Sequence, residues 1–255
     1  MRSMEREGHD ELDIEDYMAS VGVDMLHPGG MRRTEELAEM CSIAKGCKVL
    51  DVGCGYGRTA RFLASKIGCH VTGVDISERM VDGGWSKVKK EGLEDRVELR
   101  LMSAESLAFP EDSFDVVISE GALTLVDKQV VIREMIRVCR RGGRIGLNEL
   151  SWMKDPPREL VEKAQKELQG VSPLTYDGWT QLLVTSGLKK AQSHRYRYKS
   201  TSFEVLGSIG AVGLLKVTKR YLLDSRMRHW VNKQERIFRD YSDYWGYGLY
   251  EGVKI

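Results

Sequence analysis

No run of about 18 uninterrupted apolar residues occurs in this chain of 255, so no segment reads as a membrane span. Nor is charge of one sign in excess. Lys and Arg number 39 against 38 Asp and Glu, and the net charge of +1 gives no global attraction to nucleic acid, although local basic patches stay open. Cysteine is sparse and unpaired in pattern: Cys41, Cys47, Cys54, Cys69 and Cys139 make an odd set without a C-x-x-C, which argues against a disulfide framework or a zinc site. The opening "MRSMEREGHDELDIEDY" is charged where a signal peptide would be apolar. A reducing cytoplasm is the expected compartment. Internal repeats and low-complexity tracts are also missing.

The chain does contain short β-branched runs that alternate with amphipathic helical patterns. Strands are expected at 48–53, 70–76, 97–102, 114–120 and 143–150, with helices at 58–67, 78–91 and 128–139 between them. That alternation predicts a parallel, doubly wound sheet. Beyond 150 the pattern changes. A helix follows Pro156 and Pro157 and closes at Gly170; a second over 175–188 has Asp177 as its expected N-cap and Gly187 as its C-cap. Strands are expected at 188–198, which takes in the alternating run "HRYRYK", and at 244–255. The organisation reads as an amino-terminal helical cap (1–45), a core (46–199), a helical insertion (200–243) and a final core strand (244–255).

The stretch "VLDVGCGYG" (49–57) turns an apolar strand into glycine at every second position, Gly53, Gly55 and Gly57, just after Asp51. A glycine turn leaving the first strand brings backbone N–H groups close to a ligand at the carboxyl edge of the sheet. A P-loop would need Gly-Lys-Ser or Gly-Lys-Thr, and Gly57 is followed by Arg58-Thr59. A dinucleotide fingerprint beginning at Gly53 would need glycine where Arg58 stands, which weakens that reading.

The spacing D-x-G-x-G-x-G, with Asp75 ending the second strand, resembles the S-adenosylmethionine site of class I methyltransferases, in particular their small-molecule, type 11-like group. "SAESLAFPEDSFDVVISEGAL" is similar to the family's third and fourth strands with the adenine loop, and "REMIRVCRRGGRIGLNE" to the following helix, turn and fifth strand. The resemblance covers 46–150 closely and the rest loosely. It implies a Rossmann-like α/β fold with a mainly parallel seven-stranded sheet. It also implies that the glycine turn, Cys54 included, approaches the methionine part and ribose of the cofactor, and that Asp75 accepts the ribose hydroxyls. Where the family usually has Asp before the alanine of the adenine loop, this chain has Ser103, followed by Ala104 and Glu105. Adenine recognition is then expected from the Ser103 hydroxyl, the Ala104 N–H or the Glu105 carboxylate.

Other candidates follow from placement. Asp51, a carboxylate ending an apolar strand, is costly unless paired and suits the cofactor's amino group. Ile76 and Met80 are candidates for the adenine face. Glu120 and Glu149 end the fourth and fifth strands, where a general base or a substrate anchor would sit; His27 is a further candidate base and His194 a weaker one. Cys54 is explained by packing without thiol chemistry. The expected reaction is in-line transfer of a methyl group to a small-molecule acceptor, apolar or aromatic, with carbon, oxygen, nitrogen and sulfur nucleophiles all compatible. Residues 11–45 and 200–243 are expected to form a lid, the latter through Phe203, Leu206, Ile209, Leu214, Leu215, Trp230, Phe238 and Tyr241, with a second small core or a subunit interface as the alternative. A methyltransferase of RNA or protein is disfavoured by the charge balance and by "SEGA" (119–122) in place of an NPPY-type segment. A nucleotide-binding oxidoreductase is disfavoured by Arg58, and a binding protein without chemistry stays as a further alternative. Oligomeric state stays open.

Overall fold

The computed structural model describes residues 27–198 and 211–255, with the side chains of 211–214 and 220 outside that description. The helix expected before residue 27 and the apolar positions Phe203, Leu206 and Ile209 lie outside the described residues, as does the side chain of Leu214.

Five parallel strands form where the β-branched runs are: β1 (Lys48–Val52), β2 (His70–Asp75), β3 (Val97–Leu101), β4 (Phe114–Glu120) and β5 (Cys139–Trp152). The crossings are α1 (Gly30–Met40), preceding β1, then α2 (Arg58–Phe62, continuing to Ile67 as a π turn), α3 (Glu78–Lys90) and α4 (Lys128–Val138). Side chains set two of the helix starts. Ser77 accepts from Met80 N at the head of α3, and Asp127 accepts from Gln129 N and Val130 N at the head of α4.

After β5 come α5 (Arg158–Glu167), the two-residue β6 (Leu174–Thr175), α6 (Tyr176–Thr185), β7 (Lys189–Arg197), α7 (Ala211–Leu223), α8 (Ser225–Asp240) and β8 (Trp245–Val253). The N-cap of α6 is Thr175, whose hydroxyl accepts from Gly178 N, and not Asp177. Asp177 lies inside the first turn and pairs with Arg195 instead. The helix begins earlier because β6 pairs with the end of β5, which holds Thr175 extended right up to the turn.

The sheet order is β3-β2-β1-β4-β5-β8-β7, with β6 beside β5 as an eighth short strand. β8 runs antiparallel between β5 and β7 and is buried along nearly its whole length. One face of the sheet is covered by α1, α2 and α3 through Leu37, Ala60, Leu63, Val81 and Val88, and the other by α4 and α6 through Ile132, Met135, Trp179 and Leu183. Strand order reverses between β1 and β4, so the carboxyl ends of these two strands splay into the crevice where such sheets bind ligands. A third apolar cluster, beyond the end of β5, joins Trp152, Leu160, Trp245 and Ile237 and anchors α8 there.

Candidate functional site

The glycine turn expected from "DVGCGYG" sits at that crevice. Gly53, Gly55 and Gly57 all have positive φ, 76°, 52° and 66°. Their reasons differ. A Cβ on Gly53 would lie 2.4 Å from the Cβ of Ala122, so this glycine lets the β4–α4 loop close on the turn. A Cβ on Gly55 would meet only Met80 Sδ, at 3.7 Å, so the Gly55 backbone faces open space. Asp75 holds the turn to β2: Oδ2 accepts from Gly55 N (2.8 Å) and Oδ1 from Ser77 N (2.9 Å). A carboxylate has about four acceptor sites, so capacity for two hydroxyls is left.

Asp51, at the end of β1, is fully enclosed, and its Oδ2 has no hydrogen-bond partner. Burial pushes its carboxyl well above the usual range, and the charges of Glu120 and Asp75 push it the same way. Three carboxylates therefore converge on one crevice, an arrangement that calls for a cation. Beside them Ile76 is 78% exposed, an unusual state for an isoleucine next to a buried strand end, and Leu101, paired in register with Asp75, is also exposed. Met80 is buried instead, under the Gly55 turn. Cys54 packs against Gly73, and burial, with Asp51 and Asp75 nearby, pushes its thiol well up, so it is held neutral. In the loop after β3, Ser103 Oγ accepts from Glu105 N at 3.2 Å; Ala104 is partly buried and Glu105 exposed.

Glu120 is the best-anchored acid of the site. Its carboxylate accepts from Thr59 Oγ1 (2.9 Å), Thr34 Oγ1 (3.0 Å) and Asn148 Nδ2 (3.0 Å), and His27 Nδ1 stands 3.5 Å away. His27 is held in turn by Asn148 Nδ2 at 3.1 Å and Thr34 Oγ1 at 3.3 Å. Both side chains are almost fully enclosed, at 3% and 5% exposure. Sequence reasoning missed Thr34, Thr59 and Asn148. Only Asn148 had a local signal, standing next to Glu149 on a strand paired residue for residue with β4.

Glu149 points to the opposite face. Its Oε1 accepts from Leu123 N at 2.9 Å, with Ala122 and Thr124 N–H groups adding to the cap, while Oε2 is buried without a partner. Burial raises this carboxyl to about 8, against the pull of those N–H groups and Lys128. His194 lies elsewhere, on exposed β7, bonded to Glu36 of α1. Among the described residues no cluster of His, Cys, Asp and Glu is arranged to hold a metal ion. No described helix is long and apolar enough to cross a membrane.

Residues 49–143 match the family model described as a methyltransferase domain. That segment is a methyltransferase domain, of the kind found in class I S-adenosylmethionine-dependent methyltransferases. A protein of Haemophilus influenzae described only as uncharacterized is 28% identical over 234 residues, spanning 89% of this chain and 91% of its own. Methyltransferase GfsG of Streptomyces halstedii is 41% identical over 129 residues, which is 50% of this chain but 46% of GfsG, so the chain spans about half of that relative. Among solved structures, phosphoethanolamine N-methyltransferase 2 of Haemonchus contortus, in complex with phosphomonomethylethanolamine and S-adenosylhomocysteine, superposes with a TM-score of 0.76 at 20% identity. That superposition covers 93% of this chain and 56% of the other, and it establishes a shared fold.

Proposed function

We propose that the protein transfers the methyl group of S-adenosylmethionine to a small-molecule acceptor by direct in-line displacement. The observation that carries this is the buried, unpartnered Oδ2 of Asp51 beside an open glycine turn, in a crevice of three carboxylates. A ligand with an ammonium, two vicinal hydroxyls and a flat apolar base matches, in order, the acceptor at Asp51, the acceptors at Asp75 and the exposed apolar Ile76 and Leu101. Asp51 and the Gly53–Gly57 turn hold the methionine part, Asp75 accepts from the ribose, and exposed Ile76 with Leu101 covers the adenine. When bound, the cofactor supplies a methyl carbon activated by a sulfonium.

The chain's own residues then orient and enclose. Glu120 already accepts three hydrogen bonds, and Glu149 gives Oε1 to the backbone of the 122–124 loop and keeps Oε2 buried. Neither has the free, solvent-reachable oxygen of a general base, which favours an acceptor whose nucleophile is reactive without one. Glu120 acts instead as the brace that fixes His27 beside the crevice. At the far end, α8 brings Phe238 against Trp245 (4.8 Å between rings) and Tyr198 (4.6 Å), while Trp152 packs at a tilt on Trp245 at 4.2 Å. This aromatic wall beyond β5 supports an apolar or aromatic acceptor and a lid role for α8, whereas Leu215, expected in the lid, is exposed on α7.

The test is calorimetry and thermal shift with S-adenosylmethionine, S-adenosylhomocysteine, NAD and FAD in parallel. One adenosyl ligand per chain is expected. Saturable NAD binding with no response to either adenosyl ligand would overturn the reading.

A further inference from the structure

The two helices of the insertion carry surface chemistry that methyl transfer does not use. On α7, Leu215, Leu222 and Leu223 are 70%, 65% and 75% exposed. Leu215 and Leu222 are seven residues apart and so stack on one face of the helix, with Lys219 between them and Lys216 at the border. This is an exposed apolar face interrupted by Lys219 and bordered by Lys216, turned away from the protein's own core. The hairpin is anchored by other residues, the buried Met227 and Ile237 and the ring of Phe238 against Trp245. On α8, the exposed residues Arg226, His229, Lys233 and Arg236 fall at three- and four-residue spacing, a basic stripe along one face.

Charge is sorted accordingly. Residues 211–240 hold eight Lys and Arg against three Asp and Glu, a net +5 in a chain whose total is +1, so everything else sums to −4. We infer that the α7–α8 hairpin docks the protein on an anionic lipid bilayer, with the leucine stripe of α7 among the headgroups and the cations of both helices paired to them. At 13 residues α7 is roughly 20 Å long. That is short of the ~30 Å hydrocarbon core, so the helix lies in the interface plane. Outside the hairpin the described residues, 27–198 and 241–255, hold 28 Lys and Arg against 26 Asp and Glu, so the basic excess is concentrated on the hairpin. A second copy of the chain would bring +5 against +5 at a two-fold contact, and phosphates of a nucleic acid would leave the leucines in water. Neither occupant satisfies both halves of the pattern.

The inference does not depend on methyl transfer, and its test is separate. The full chain is co-sedimented with phosphatidylcholine vesicles, with and without phosphatidylglycerol, at low and high salt. Expected are binding to the anionic vesicles, a steep loss with salt, and little binding to neutral ones. Removing Lys216 and Lys219 charges as a K216Q/K219Q pair is expected to lower partition roughly fivefold per charge. The L215E/L222E/L223E triple variant is expected to abolish sedimentation while S-adenosylhomocysteine affinity and circular dichroism stay as in the parent. Equal binding to neutral vesicles, no binding to either, or undiminished sedimentation of the triple variant would overturn it. So would a wild-type dimer in light scattering that the triple variant dissociates, in the absence of vesicle binding.

Discussion

The backbone N–H of Gly55 donates to Asp75 Oδ2 across 2.8 Å, which ties the turn after β1 to the last residue of β2. One carboxylate thus shapes the crevice and, in the proposed function, accepts from the ribose. Asp75→Ala should lower both thermal stability and cofactor affinity, because the turn loses its clasp and the ribose its acceptor. Each lost bond to a charged group is worth ~1.5–3 kcal/mol, roughly ten- to hundredfold in affinity. Asp75→Asn keeps one acceptor and should cost less on both counts. Calorimetric titration with S-adenosylhomocysteine beside a melting curve checks it; equal, negligible effects of the two changes would place Asp75 outside the site.

Substitutions at neighbouring glycines should separate folding from binding. At Gly53 an added Cβ collides with Ala122, so Gly53→Ala should lower the melting temperature sharply. At Gly55 the added group enters open space, and the positive φ alone costs about 1–2 kcal/mol. Gly55→Val should therefore stay folded yet bind S-adenosylhomocysteine at least tenfold more weakly. Normal binding by folded Gly55→Val would show that the turn serves structure only.

Glu120 accepts from three side chains, so replacing one of its oxygens by an amide sets donor against donor. Glu120→Gln should cost about 1.5–3 kcal/mol. For a chain of this size that is a fall in melting temperature of roughly 3–12 °C. Turnover should fall with little change in cofactor affinity. A variant with unchanged melting temperature and abolished turnover would instead mark Glu120 as a base.

Glu149 makes stability depend on pH. Its carboxyl is raised by burial to about 8 from an ordinary 4.5, so between those values the folded protein holds a proton that the unfolded chain has released. The contribution is fully present below about 4.5 and is lost as pH rises through about 8. Glu149→Gln cannot ionise but keeps an acceptor for Leu123 N. Denaturant melts from pH 5 to 9 should show the gap between wild type and variant moving in the variant's favour as pH rises. Parallel curves would mean that Glu149 is ionised when folded.

Much of the site was readable along the chain because its determinants are local. A β-branched run followed by alternating glycines specifies a strand and a turn with positive φ, and Asp75 lies at the end of the next such run. Strand ends and helix caps such as Ser77 follow from the same short-range rules. The cap of α6 did not, because Thr175 rather than Asp177 takes that role only once β6 pairs with β5. The setting of Glu120 was equally out of reach. Its partners Thr34, Thr59 and Asn148 lie 86, 61 and 28 residues away and meet it only where α1, α2 and β5 close on β4. Sequence by itself determined the strand succession, the glycine turn and the carboxylates at strand ends, since periodicity and backbone freedom are properties of neighbouring residues. Tertiary structure alone decided that Glu120 is saturated with donors while Asp51 and Glu149 each keep a buried oxygen without a partner, since desolvation and hydrogen-bond supply depend on which distant segments pack around each carboxylate.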